Sequence, residues 1–161
     1  MPVLQSGLVT PGHACSWVTD GVIQDAGATP AAQRVLASLR GADFNTTGDQ
    51  PITIPPQFVA FQLTSIVVTG AFGAMSVARG GFYPQAGKAG SPLVFNTQTY
   101  AALVTSDVLQ QMSLTAFAQN TRFSVTNLGQ INGLLNIWFS LSIPQGTVSG
   151  ADIYLIGIDL T

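Results

Sequence analysis

Glutamate is absent from this 161-residue chain, and lysine occurs once, at Lys88. Arg34, Arg40, Arg79 and Arg122 complete the basic set and face seven Asp. Charged residues make up 7% of the chain, whereas an ordinary soluble domain is about a quarter charged. So few cations, at a formal net charge of -2, exclude a broad basic patch. Binding of nucleic acid or of an anionic membrane surface is excluded with it, because both rest on Lys and Arg neutralising phosphates. Cys15 is the single cysteine, so no intrachain disulfide forms and the thiol reads as a small buried hydrophobe. His13 is the single histidine. It makes a His-x-Cys pair with Cys15, but no further His or Cys completes a soft metal site. No apolar run reaches the roughly 18 residues of a membrane helix. The opening Met1-Pro2-Val3-Leu4-Gln5 lacks the basic and apolar regions of a signal peptide.

The chain does have apolar content, at 47% of residues with a mean hydropathy of +0.39. That is enough for a core and argues against disorder. The length suits one domain with a small appendage, large enough to fold without a metal or disulfide staple. Ser, Thr, Gln and Asn carry the polar load. Such a surface is either solvated by uncharged groups or covered by partners, and the second possibility points to an assembly subunit.

Two textures divide the chain into an N-terminal arm, residues 1–49, and a strand-rich domain, residues 50–161. In the arm, Ser16-Trp17-Val18 and Val22-Ile23-Gln24 flank Asp20-Gly21, a tight-turn signal that predicts a hairpin. Thr29-Pro30 followed by 31–39 and Gly41 has the cap, first-position proline and terminating glycine of a helix. Ala32, Val35, Leu36 and Leu39 share one face at helical spacing. One short helix is expected there, docked on a neighbour because isolated short helices are marginal.

Beyond residue 50 the pattern is strands and turns. Ile52-Thr53-Ile54 stops at Pro55-Pro56. Residues 62–69 are rich in β-branched residues, and 75–79 end at Gly80-Gly81. Phe82-Tyr83 and 93–95 flank a Gly-rich loop, and 100–112 has mixed signals. Residues 113–118 and 122–126 read as a hairpin. Leu135, Ile137, Phe139, Leu141 and Ile143 alternate with Asn136, Trp138, Ser140 and Ser142, the period of a half-buried strand. Residues 152–160 form a closing strand that is largely apolar on both faces. The class is therefore mainly β, an antiparallel sandwich of which a jelly roll is one arrangement. Missing Glu and Lys suit such a chain, since those residues serve helix surfaces. The cost is weak protection of sheet edges.

Chemistry-bearing patterns are sparse. A Ser-His-Asp triad would have to use His13, and no Gly-x-Ser-x-Gly elbow is present. A glycosidase dyad would need two of the seven Asp, but Asp20, Asp25, Asp43 and Asp49 lie in turn contexts that favour Asp for backbone bonding. Asp43, Asn45 and Asp49 offer oxygen ligands without the spacing of a calcium loop. Gly87-Lys88-Ala89 lacks the remaining elements of a phosphate loop. Trp17, Trp138, Tyr83, Tyr100 and Tyr154 would make a sugar-stacking platform if exposed, though strand aromatics more often serve a core or interface. No catalytic residue, cofactor or metal is expected.

Three stretches together resemble structural proteins of tailed-bacteriophage virions. Val9-Thr10-Pro11-Gly12-His13 through Trp17, Thr19-Asp20-Gly21-Val22-Ile23 and Asp25-Ala26-Gly27 are similar to a recurrent N-terminal segment. Val35-Leu36-Ala37-Ser38-Leu39 with 42–50 resembles the linker into their β-domain. Ala151-Asp152-Ile153-Tyr154-Leu155 to Asp159-Leu160 resembles its closing strand. The resemblance implies a non-enzymatic head decoration (cement) protein on the capsid surface. Its expected partners are the major capsid protein and itself, as a homotrimer. A head or tail fibre or spike that binds host surface carbohydrate is the alternative. The expected capsid or subunit interface is Trp17, Val18, Val22, Ile23, Val35, Leu36 and Leu39, the apolar positions of the arm.

Overall fold

The computed structural model describes residues 33–161 in full and the backbone of 14–18 and 22–27. Strands β1 (Ala14–Val18), β2 (Val22–Gly27), β3 (Arg34–Asp43), β4 (Gln50–Thr53), β5 (Ala60–Phe72) and β6 (Arg79–Tyr83) come first. Then follow β7 (Gln110–Gln111), helix α1 (Ala116–Asn120), β8 (Arg122–Ser124), β9 (Gln130–Ile131), β10 (Leu134–Ile143) and β11 (Gly150–Asp159). One sheet runs β2-β1-β3-β11-β5-β7, with β8 also on β5. The other runs β4-β10-β6, with β9 also on β10. Every pairing is antiparallel. The two sheets pack face to face as a β-sandwich, as the alternation and turn spacing predict.

The core lies between them. Leu36, Ile66, Val68, Ile153 and Leu155 from the larger sheet meet Ile52, Phe82, Ile137, Phe139 and Leu141 from the smaller. Phe139 is the hub of a ring cluster, with centroids 5.0 Å from Phe44, 5.1 Å from Phe82 and 6.1 Å from Tyr100. The Tyr100 hydroxyl donates to the Gly80 carbonyl at 3.1 Å in this buried setting. Burial, and then the neighbouring Tyr83, push the Tyr100 phenol far above its ordinary value of 10.0. The folded state thus holds this proton more tightly than the unfolded chain. The stabilisation is fully present below about pH 10 and declines as pH rises further. Tyr100→Phe should flatten that alkaline decline while costing about 1–2 kcal/mol at neutral pH, since the Gly80 carbonyl loses its donor. Urea melts of both proteins at pH 7 and above pH 10 check this, and parallel pH profiles would refute it.

The expected helix over 31–39 is absent where the chain is described; Thr29, Pro30, Ala31 and Ala32 lie outside the described residues. From Arg34 the chain is strand β3, laddered to β11 from Gly157↔Arg34 to Gly150↔Asp43. Val35, Leu36 and Ala37 are buried in succession, which suits a central strand covered on both faces. A spacing of 35, 36 and 39 fits a helix face equally well, and ten residues of cross-strand hydrogen bonding override the local preference. Gly41, read as a helix stop, has φ +64° and sits where residues 40 and 41 oppose Asp152 alone. This is a β-bulge with glycine in the left-handed region. The Gly41 N–H donates to Asp152 Oδ1 at 2.7 Å.

The division at residue 49 moves accordingly. β3 is an integral strand of the sandwich, and Phe44 joins the ring cluster. Before Arg34, β1 and β2 extend the same sheet at its edge.

Three further strand expectations need correction. Gly80 and Gly81 do not end a strand; they lie inside β6. A Cβ at Gly81 would stand 2.2 Å from the Val94 carbonyl oxygen, so glycine permits close backbone approach here. The hairpin of 113–118 with 122–126 is replaced by α1 and β8. Thr115 Oγ1 accepts from the Ala118 N–H at 3.1 Å and caps the short helix, a tertiary choice that few residues of local pattern cannot signal. β10 is buried on both faces from Leu135 to Leu141, not half-exposed. Its polar alternates are met by loops and a neighbouring strand: Asn136 Oδ1 accepts from Thr53 Oγ1 at 2.8 Å, and Ser140 Oγ donates to the Thr47 carbonyl at 3.4 Å.

Candidate interaction surface

β1 and β2 form the hairpin expected around Asp20-Gly21, with Trp17 paired to Ile23 and Val18 to Val22. Residues 19–21 themselves lie outside the described residues. Among the described residues, the hairpin pairs with β3 at Ala14↔Arg34. The strands are antiparallel and Arg34 is the first residue of β3, so residues 15–18 run past the end of β3. That is the end where β11 finishes and β5 begins, since Gly157 pairs with both Arg34 and Leu63.

The expected interface residues thus divide. Trp17, Val18, Val22 and Ile23 lie together on the hairpin at the sheet edge. Val35, Leu36 and Leu39 lie on β3 and are correctly read as apolar-face residues but wrongly as a docking face. Leu36 is wholly buried in the inter-sheet core, and Leu39 packs against it. Val35 is buried with Val67, Tyr154 and Ile156 in a second cluster. Val35 and Leu36 are thus fully occupied within their own chain, and Leu39 is partly buried.

The same end of the sandwich carries an apolar surface that the sequence pattern did not single out. A cleft of about 230 Å³ opens between Ile54, Pro55, Pro56 and Phe58 on one side and Val125, Leu134 and Leu135 on the other. Val59 and Val125 on its rim are 56% and 60% exposed. Ile131 and Leu160 are also exposed; Leu160 joins this end through its N–H, which donates to the Ala60 carbonyl at 2.9 Å. In the sequence, Pro55-Pro56 marks only a strand stop, Val59 lies in the apolar run Phe58-Val59-Ala60-Phe61, and Val125 is flanked by Ser124 and Thr126. Nothing in their local pattern reveals that they converge.

The groups considered for chemistry serve the backbone. Asp43 Oδ1 accepts from the Asn45 N–H at 2.7 Å, Asp159 Oδ1 from the Thr161 N–H at 2.9 Å, and Asp49 Oδ2 from the Gly87 N–H. Asn45 Oδ1 accepts from the Gly146 N–H at 2.8 Å. The oxygens weighed as calcium ligands are therefore engaged by amide donors. Among the described residues, no three His, Cys, Asp or Glu gather as a metal site. Trp138, Tyr83, Tyr100 and Tyr154 are all buried and form no sugar platform; the side chain of Trp17 lies outside the described residues. Burial, and then the Asp49 carboxylate, raise the Tyr83 phenol. No described helix is long and apolar enough to cross a membrane. Comparison with family models, curated proteins and solved structures finds no match to this chain.

Proposed function

We propose that this chain is a non-enzymatic structural protein of a tailed-phage virion. In this role it decorates the capsid surface, bound to the major capsid protein through its N-terminal arm. The single observation that carries the proposal is the hairpin at the edge of the larger sheet, where Trp17 pairs with Ile23 and Val18 with Val22 beyond the described pairing of Ala14 with Arg34. A two-stranded ribbon is marginal on its own in water, so it gains stability by docking on something else. Charge scarcity agrees with this, because a surface with few charges is poorly defended against association. Apolar burial and strand addition at the hairpin edge would supply the driving force. Self-association as a homotrimer belongs to the same proposal. A spike that grips host carbohydrate finds less support, since four of the five candidate stacking aromatics are buried.

Full-length protein should co-sediment with capsids of the phage that encodes it, prepared without this protein, and occur in hundreds of copies per virion. A chain lacking residues 1–32 should fold but remain in the supernatant. Retained binding by that truncation, or absence of the protein from purified virions, would refute the proposal.

A further inference from the structure

We infer that Asn132-Gly133 is a self-modifying site, at which the folded chain converts Asn132 to isoaspartate and aspartate with release of ammonia. Water is the only co-reactant.

Residue type sets the first condition. The Gly133 backbone nitrogen attacks Cγ of Asn132. The N–Cγ bond forms, the Cγ–Nδ2 bond breaks, and ammonia leaves with the proton of the attacking amide. A cyclic imide remains, and water opens it at one of its two carbonyls. Opening at Cγ gives aspartate. Opening at the main-chain carbonyl leaves the chain running through the side chain, as isoaspartate. Nothing is oxidised or reduced. A side chain on the attacking residue crowds its nitrogen, and glycine has none. Of the six Asn in the chain, Asn132 alone precedes Gly; Asn45, Asn96 and Asn120 precede Thr, Asn127 precedes Leu and Asn136 precedes Ile.

The fold supplies the second condition by leaving this pair unguarded. Asn132 and Gly133 are the central residues of the tight turn between β9 and β10, where Ile131 pairs with Leu134. Their φ angles are +52° and +79°, both positive as a type I′ turn requires. Both residues are exposed, and a Cβ at Gly133 would meet nothing within 4 Å. Among the described residues, no hydrogen bond holds the Asn132 side chain. Other Asn side chains are held: Asn127 Oδ1 accepts from the Ser124 N–H at 2.8 Å, and Asn120 Nδ2 donates to the Ala116 carbonyl at 2.8 Å. Asn136 is buried and bonded to Thr53. The ladder behind the turn has two pairs, Leu134↔Ile131 and Leu135↔Gln130. So short a ladder opens locally at small cost, which frees the backbone of Asn132 to bring the reacting atoms together.

Gln130, Gly133 and Leu134 line the apolar cleft, so the product alters that wall. Isoaspartate adds a methylene to the main chain, and the two-residue turn no longer matches the register of β9 on β10. Either product sets a carboxylate beside a cleft whose lining holds no charged side chain.

The test keeps full-length protein folded at neutral pH for weeks and maps digested aliquots by mass spectrometry. The peptide carrying Asn132 should gain about 1 Da, as an amide NH2 becomes OH, and resolve into two isomers. Methyl transfer by an isoaspartyl-specific methyltransferase identifies one of them. Conversion should be at least about tenfold faster than in any peptide carrying another Asn, a modest difference in barrier. The same protein in urea reports the unguarded chain, and the folded rate should lie within about tenfold of it, because a two-pair ladder protects little. Asn132→Gly keeps a residue that accepts positive φ and should abolish the gain, while a thermal melt checks that the variant folds. A gain seen only in urea overturns the inference. So does equal or faster conversion at another Asn in the folded protein, or an undiminished gain in the corresponding peptide of Asn132→Gly.

Discussion

A chain lacking residues 1–49 should show no cooperative thermal transition, whereas one lacking residues 1–32 should keep a single one. The first truncation removes β3, the strand between β11 and the hairpin, and takes Leu36, Ala37, Ala42 and Phe44 from the core. Truncation of one buried Leu to Ala costs about 2–5 kcal/mol and of one Phe about 3–5. Their joint loss, together with the unpaired edge left on β11, approaches the whole stability of about 5–15 kcal/mol typical of a domain. The second truncation cuts before Arg34 and leaves that core and both ladders of β11 intact. Circular dichroism melts of the two proteins decide the matter. Cooperative unfolding of the 50–161 fragment would mean that β3 is dispensable.

Phe139→Ala should lower stability by about 3–5 kcal/mol, the largest effect expected of a single substitution in the sandwich. Phe139 is wholly buried and its ring meets those of Phe44, Phe82 and Tyr100. Removing it strips contacts from three other large rings, one on β6 and two in loops. Aromatic pairs add about 0.5–1.5 kcal/mol each beyond their buried area. In a chain of this size the melting temperature should fall by about 10 °C. Val104→Ala is the control. Val104 is 75% exposed, and its truncation should stay within about 0.5 kcal/mol of wild type. Equal effects at the two positions would mean that the ring cluster does not organise the core.

How much of this was legible depended on where each signal resides. The strand at 134–143 announced itself through alternation over ten residues, and the hairpin at 14–27 through Asp20-Gly21 between β-branched and aromatic runs. Both signals are local. The segment at 34–43 carried a helical spacing together with a plausible cap and stop, and still became a central strand. Its ladder partner, β11, lies more than 100 residues away, and no window of sequence contains both. Gly80-Gly81 was misread for a related reason: whether a glycine ends a strand or admits a neighbour depends on whether Val94 packs against it.

The same distinction separates the hairpin from the cleft. The pairing of Trp17 with Ile23 and of Val18 with Val22 was legible because adjacent residues in a hairpin remain adjacent in space. The cleft joins Ile54 and Pro55 to Val125 and Leu134, which become neighbours only when the ends of the two sheets are brought together. By itself the sequence determined composition-level properties: a β-class chain, poor in charge, with an apolar hairpin near its start. These follow from residue type and short-range periodicity. The tertiary structure alone decided that β3 belongs to the sandwich, that Leu36 lies in its core, and that Ile54, Pro55, Val125 and Leu134 line one cleft. Those facts depend on long-range strand register, whose free energy is set by residues far apart in the chain.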